Sequence, residues 1–176
     1  AWDSRQMSVV EQLMPTLTTY PLYPYLQYRQ ITDDLMNQPA LVVKNFIDAN
    51  PTLPPARSLR SRFVNELARR SDWRGLLAFS PDKPTSTEAQ CNYYYAKLSV
   101  GQSQEAWSGA KALWLTGKNQ PGACEPLFSA WRDSGQQDPL AYLERIRLAM
   151  KAGNIGLVKS LAQQMPANYQ SIASAV

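Results

Sequence analysis

Histidine is missing from this chain of 176 residues, and glycine (8 residues) and cysteine (2 residues) are scarce. The lack of His removes the usual general base for a catalytic serine and a common metal ligand, and no Gly-x-Ser-x-Gly elbow is present. Gly117, Gly122 and Gly135 stand singly at predicted helix ends, where left-handed backbone is the common use of glycine, so no glycine-rich phosphate loop is available. The sequence therefore predicts no metal site, no catalytic serine and no cofactor.

Long apolar runs are also missing. No stretch approaches the roughly 20 apolar residues needed to cross a bilayer, and the segment from Ala1 to Arg5 lacks the apolar core of a signal peptide. We expect a soluble chain without a membrane span that, if exported, has already been processed. Because the chain does not begin with Met and ends within an apparent helix at 173–176, we also expect a fragment cut at both ends.

The excess of positive charge is small, with a net charge of +4 and a sequence pI near 9.1. It would favour an anionic partner such as peptidoglycan or nucleic acid. A shared face of Arg62, Arg69 and Arg74 would bind anionic glycan or another part of a parent protein, although solvated helix surface is the simpler interpretation. The arginines of this region fall on different sides of their helix, which disfavours a nucleic-acid binder; they are Arg57, Arg60, Arg62, Arg69, Arg70 and Arg74.

What the chain does contain is typical of helix. Ala, Leu, Gln and Arg are abundant, Val, Ile and Thr are sparse, and apolar residues recur every three or four positions, so no strand is predicted. We expect Asn37 to cap the third helix and Asp72 the fifth. Five helices are predicted in the first half. The first ends at Met14, and the next four span about Pro21 to Asp33, Pro39 to the residue before Pro51, Pro55 to Arg70, and Asp72 to Phe79.

A helical hairpin is predicted from Thr87 to Leu115, joined at Gly101, with Ser103 capping its second helix. Further helices are expected over 127–134, 139–152 and 154–165. Aligning Gly101 with Gly153 matches Ala106 to Val158, and a third frame at Ser71 places Leu76 in the same position. This weak repetition indicates an all-α fold of tetratricopeptide-like antiparallel helix pairs stacked in a curved superhelix, rather than a closed bundle.

Cys91 and Cys124 each lie near the start of a predicted helix, one helical pair apart. In a helical array they would be neighbours, and a disulfide would stabilise the fold by roughly 3 to 4 kcal/mol. The alternative is a pair of buried free thiols. Spacing alone does not decide between them.

No glutamate has the setting of a catalytic acid, which needs a partly desolvated cleft. Glu144 stands beside Arg145 and Arg147, as ordinary solvated charges would. We therefore predict no catalytic residue. The glutamates, each on a different predicted helix or helix end, are Glu11, Glu66, Glu88, Glu105, Glu125 and Glu144.

Aromatic residues are more typical of packing than of ligand binding here. Tyr93 to Tyr95 are consecutive, so on a helix they point in three directions and form no single sugar-stacking platform. Tyr28 and Trp107 remain candidates for a recognition groove. The tryptophans expected to pack between helices are Trp73, Trp107, Trp114 and Trp131.

Seven segments carry a resemblance to a known family. They are residues 20–29, which join two prolines to a tyrosine-bearing helix, and residues 31–39, 49–57, 72–79, 91–97, 113–118 and 138–154. Over essentially its whole length, the chain closely resembles the N-terminal helical domain of the soluble lytic murein transglycosylases of enteric bacteria.

The resemblance implies a periplasmic protein. In that family a U-shaped helical superhelix and a linker domain form a ring that carries a lysozyme-like domain, and the enzyme cleaves the MurNAc-GlcNAc β-1,4 bond without water to leave 1,6-anhydromuramoyl ends. The family's catalytic glutamate lies in a Glu-Ser motif followed by a Gly-Leu-Met-Gln segment, and neither occurs here. Residues 1–176 are thus expected to form one helical domain without the catalytic domain, inactive alone. A periplasmic location is consistent with a bridge between Cys91 and Cys124.

Three functions follow as hypotheses. The first is a non-catalytic scaffold segment, whose partners are peptidoglycan strands through the full-length protein, the rest of the parent enzyme, and cell-wall proteins. The alternative is a free-standing helical-repeat adaptor that binds partner peptides in its concave groove. A nucleic-acid binder is the third and the least supported, because it requires a clustered electropositive face.

Overall fold

The computed structural model describes residues 6–165, which are helical with no strand among them, so the all-α prediction is confirmed. By its internal contacts the chain divides into two compact units, Ala1–Glu66 and Leu67–Val176. The helices in order are α1 Met7–Leu13, α2 Tyr23–Asp33, α3 Ala40–Ala49, α4 Pro54–Arg69, α5 Trp73–Phe79, α6 Thr87–Ser99, α7 Ser103–Trp114, α8 Glu125–Asp133, α9 Pro139–Lys151 and α10 Ile155–Gln164.

Short 3-10 turns adjust several of the predicted boundaries in the first unit. The first helix ends at Leu13 and continues as a 3-10 turn, Met14–Leu17, and the second begins at Tyr23 rather than Pro21. Asn37 does not cap α3, so that prediction is wrong. Its side-chain amide donates to the Asp34 carboxylate (2.8 Å) within the 3-10 turn Leu35–Asn37, and Pro39 takes the N-cap position of α3.

The first unit buries an apolar set drawn from its longer helices. Tyr28 of α2 packs on Phe46 of α3, with ring centroids 6.3 Å apart. Leu59 and Phe63 of α4 are both fully buried. Other buried side chains of this unit are Ile31, Val43, Ile47 and Val64.

The second unit is built on a turn that recurs three times. Ser71, Gly101 and Gly153 all have positive φ, at 58°, 87° and 70°. Each donates its N–H to the carbonyl three residues earlier, and the next residue donates to the carbonyl five residues earlier, which is the Schellman arrangement. The three frames aligned from the sequence are thus one backbone motif, which ends one helix shortly before the next begins.

The residue after each left-handed position begins the next helix. Asp72 caps α5 as predicted, accepting from the Gly75 N–H (2.9 Å), and Asn154 caps α10 in the same way (3.2 Å from the Leu157 N–H). The cap predicted at Ser103 is wrong, because Gln102 occupies the N-cap of α7. The Schellman turn already fixes the Gln102 N–H on the Lys97 carbonyl, which leaves Ser103 as the first helical residue.

The α6–α7 hairpin packs closely. The Lys97 ammonium contacts the Glu105 carboxylate (2.6 Å), and a Cβ on Gly109 would overlap the Tyr94 ring, so α7 needs glycine at that position.

Gly135 adopts the predicted left-handed conformation. Gly117 and Gly122 do not, which corrects that expectation. Glycine is needed at position 117 for a different reason, because a Cβ there would overlap the carbonyl oxygen of Leu148.

Candidate functional site

A cleft of about 410 Å³ opens within the second unit. Its lining comes from the segment between Asn119 and Glu125, from α10 and from Arg145 of α9. The full lining is Trp114, Asn119, Gln120, Pro121, Gly122, Glu125, Phe128, Arg145, Asn154, Gly156, Leu157, Ser160, Leu161 and Gln164.

Arg145 is buried, with only 4% of its surface exposed, so the expectation of a solvated charge is wrong for this residue. Its guanidinium carbon lies 4.1 Å from the ring centroid of Trp114 and 5.8 Å from that of Phe128. Arg147 is exposed and pairs with Glu144 (3.2 Å), as expected. The two arginines differ because they lie on opposite faces of α9.

The Nε atom of Arg145 has no hydrogen-bond acceptor among the described residues. Burial lowers the pKa of the Arg145 guanidinium from its ordinary value, while the charges of Glu125 and Tyr142 act in the opposite direction. Arginine nevertheless stays protonated in proteins, so the cleft contains a desolvated cation with an unused donor.

Trp114 is the centre of the packing beneath this cation. Its indole N–H donates to the Ala141 carbonyl (3.1 Å), which fixes the ring against the start of α9. Phe128, Tyr142 and Trp131 contact it edge-on, with centroids 5.0, 5.1 and 6.3 Å away. The ring face is therefore held in place to receive the guanidinium.

Polar side chains form hydrogen bonds and an ion pair around the rim of the cleft. Asn154, at the start of α10, donates to the Gly117 carbonyl (3.3 Å) and to the Asn119 side-chain oxygen (3.1 Å). Gln120 donates to the Leu113 carbonyl. Glu125 pairs with Arg132 at 3.4 Å, with most of the Glu125 side chain in solvent.

The cysteines lie behind this rim. Cys91 of α6 and Cys124 are joined by a disulfide in the structure, with Cα atoms 4.8 Å apart, and both are fully buried. Cys124 ends the 3-10 turn Gly122–Cys124, whose first residue lines the cleft. The bond therefore anchors one wall of the cleft to α6.

The structure does not bring the glutamates together in a desolvated cleft. Glu66 is half-buried and the other five are exposed, and three of these are in ion pairs, Glu105 with Lys97, Glu125 with Arg132, and Glu144 with Arg147. Among residues 6–165, no group of three or more Cys, Asp or Glu side chains is arranged to hold a metal ion.

The two aromatic groove candidates lie outside the cleft. Tyr28, in the first unit, accepts a hydrogen bond from Arg62 (2.6 Å), and Trp107 is half-buried against the core of the second unit. Trp114 and Trp131 are buried as predicted, while Trp73 is half-buried and packs on Tyr95 with centroids 5.1 Å apart.

Sequence reasoning missed Arg145, although its spacing carries a signal. The buried residues of α9 are Ala141, Tyr142, Arg145, Ile146 and Ala149, a stripe at intervals of three and one that includes the arginine.

No helix within the described part of the chain is long and apolar enough to cross a membrane.

Fold and site together define an all-α segment of helix pairs whose second unit contains a polar cleft. No family model matches the chain. Over all 176 residues it is 78% identical to the soluble lytic murein transglycosylase of Escherichia coli K12, and 77% identical to that of Salmonella typhimurium. The resemblance predicted from the sequence is thereby confirmed, and the chain spans 27% of the length of each of these relatives.

Solved structures of lytic transglycosylases are similar to this chain as well. The crystal structure of the 70 kDa soluble lytic transglycosylase from Escherichia coli superimposes with a TM-score of 0.96 and 79% identity, over 99% of this chain and 28% of that one. Its complex with bulgecin A gives a TM-score of 0.95 at the same identity and coverage. An inactive mutant of the lytic transglycosylase Slt from Pseudomonas aeruginosa gives 0.82 at 33% identity, over 94% of this chain and 28% of that one.

Proposed function

We propose that this chain is a non-catalytic scaffold segment of a peptidoglycan lytic transglycosylase. The observation that carries the proposal is the identity of 78% along the whole chain to a protein of which the chain spans 27%. Because the similarity extends over the whole chain, the chain should have the same role as the corresponding part of the relative. In its full-length form the protein would cleave the MurNAc-GlcNAc β-1,4 bond and leave 1,6-anhydromuramoyl ends.

The described residues support a structural role rather than chemistry. Glycan cleavage requires a carboxylic acid whose surroundings keep it protonated. The glutamates here are separated from one another, and Glu125, which alone among them lines the cleft, is mostly exposed and paired with Arg132. In this chain such carboxylates act as surface charges.

Rigid connections between helices suit a scaffold. The Schellman turns at Gly101 and Gly153 fix the α6–α7 and α9–α10 connections, and the Cys91–Cys124 bond joins α6 to the segment before α8. The scaffold would hold peptidoglycan strands or cell-wall protein partners near an active site carried elsewhere in the parent enzyme. A disulfide persists in an oxidising compartment, which favours a periplasmic location.

Purified peptidoglycan would be incubated separately with this chain and with the complete protein that contains it, and 1,6-anhydromuropeptides would be measured by mass spectrometry. We expect these products from the complete protein and none from the chain. Products from the chain alone would refute the non-catalytic role. A variant of the complete protein without residues 1–176 would then measure how much of the activity depends on the scaffold.

The cleft of the second unit favours an adaptor as the second candidate function. Ligand sites are typically concave and combine apolar side chains with a few polar or charged groups, and this cleft combines Phe128 and Leu157 with Arg145. If neither the chain nor the complete protein releases 1,6-anhydromuropeptides, the scaffold proposal fails and the adaptor, which binds partner peptides, takes its place.

A further inference from the structure

The α7–α8 connector, residues 115–124, is non-helical apart from the 3-10 turn Gly122–Cys124. Segments of this kind open locally at a lower free energy than the helices that flank them. The last residue of the connector, Cys124, is nevertheless fully buried and joined to Cys91 of α6. The contacts that hold the connector closed therefore determine how well the disulfide is protected.

The other end of the connector is fastened to α9 and to the start of α10. The Asn154 amide nitrogen donates to the Gly117 carbonyl (3.3 Å) and to the side-chain oxygen of Asn119 (3.1 Å). The backbone of Gly117 also lies against the Leu148 carbonyl of α9. The connector is thus held by Asn154 near its start and by the disulfide at its end.

Asn154 is positioned for this contact by the turn that precedes it. The Schellman turn at Gly153 places the Asn154 N–H on the Ala149 carbonyl (2.9 Å), and the Asn154 side-chain oxygen caps α10 through the Leu157 N–H (3.2 Å). The amide nitrogen is left to donate its two hydrogens to the connector. Asp72, the equivalent residue of the first frame, has the capping oxygen but no side-chain N–H, so the amide at position 154 adds a contact that a carboxylate could not make.

Reduction of the disulfide requires that one of its sulfurs becomes accessible. A thiolate must reach a sulfur atom to attack it, and both cysteines are fully buried among the described residues. Cys91 lies within α6, a helix of 13 residues, whereas Cys124 lies in the 3-10 turn that ends the connector. Opening of the connector is the less costly route, because it breaks fewer hydrogen bonds than opening of α6.

We propose that Asn154 controls the access of thiols to the Cys91–Cys124 bond, which is reduced only after the Asn154 amide has released the connector. The thiolate of a dithiol attacks the Cys124 sulfur, forms a mixed disulfide with it and expels the Cys91 thiolate. The second thiol of the reagent then displaces the Cys124 thiolate. The dithiol thereby loses two electrons and two protons and becomes a cyclic disulfide, while the two cysteines gain both. This control requires no glycan cleavage, so it is independent of the scaffold role.

The test is the rate at which excess dithiothreitol reduces the folded chain, measured by alkylation of the released thiols and mass spectrometry. Asn154→Asp keeps an oxygen that caps α10 but loses both hydrogen bonds to the connector. Loss of one hydrogen bond changes an equilibrium by about fivefold. When the connector recloses fast, the rate of reduction follows the population of the open form, so this variant should be reduced at least about tenfold faster.

Asp72→Ala is the matched control for a general loss of stability. It removes the equivalent cap from α5, which binds the Gly75 N–H rather than the connector. Its rate of reduction should therefore stay within about twofold of that of the unmodified chain. Low concentrations of urea give a second distinction, since local opening exposes little surface and its rate should barely change, whereas global unfolding responds steeply.

Amide hydrogen exchange measures the opening of the connector without any reductant. The Cys124 N–H, which donates to the Pro121 carbonyl (2.9 Å), should exchange at least about tenfold faster in Asn154→Asp. The N–H groups within α6 should exchange at unchanged rates, because that helix stays closed.

The proposal is overturned if Asn154→Asp is reduced at the same rate as the unmodified chain, or if Asp72→Ala is accelerated as much as Asn154→Asp. It is also overturned if reduction of the unmodified chain accelerates with urea along the full slope of global unfolding. In that case the sulfurs become accessible only when the whole fold opens, and the connector has no separate role.

Discussion

Loss of the Cys91–Cys124 bond should destabilise the second unit more than any single surface change. Both sulfurs are fully buried and the bond joins α6 to the turn before α8. For a sequence separation of 33, the chain-entropy relation gives about 3.7 kcal/mol at 25 °C. That is a large part of the 5–15 kcal/mol typical of a folded protein.

Replacing both cysteines by alanine adds a packing loss to this figure. Each sulfur removed from the core costs about 1 kcal/mol, similar to a buried methylene. We therefore expect the double variant Cys91→Ala/Cys124→Ala to lose about 6 kcal/mol, the sum of the two effects. The reduced, unmodified chain keeps its sulfur atoms and should lose only the entropic part.

Urea unfolding followed by circular dichroism would measure both losses. With a slope of about 2 kcal/mol/M, the midpoint of the reduced chain should fall by about 2 M relative to the oxidised chain. A difference below about 1 kcal/mol would refute the reasoning, since it falls far short of the entropic cost. Two titratable thiols in the unreduced, unfolded protein would instead establish the free-thiol alternative.

Further predictions concern four backbone positions. Gly101→Ala should cost about 1 kcal/mol in urea unfolding, because φ is positive there, whereas Ser71→Gly should be neutral or stabilising by about 0.5 kcal/mol. Gly109→Ala should cost about 1–3 kcal/mol through overlap with Tyr94, while Gly156→Ala, a matched control in open space, should gain about 0.5–1 kcal/mol.

Local signals in the sequence predicted most of the fold. Proline and glycine delimit the helices, and the frames at Ser71, Gly101 and Gly153 are equivalent because each ends a helix with the same two backbone hydrogen bonds. Asp72 was predictable as a cap because a side-chain oxygen there reaches the Gly75 N–H. Such features depend on a few neighbouring residues.

The errors arose where a second interaction competes for the same residue. Asn37 has the chemistry of a cap, but its amide binds Asp34 instead. Ser103 also has that chemistry, but the preceding Schellman turn already places Gln102 at the N-cap. Capping propensity describes which hydrogen bonds a side chain can form, and the neighbouring turn determines which of them does form.

Arg145 shows why the candidate site was harder to predict than the fold. A charged residue within a run of charges is usually solvated, yet the helical period places Arg145 in the buried stripe between Tyr142 and Ala149. Burial becomes tolerable only because Trp114 presents a ring face 4.1 Å away, and that ring is fixed by residues distant in sequence. A site of this kind depends on tertiary packing, so the helical period could indicate the burial of the arginine but not the cleft that it lines.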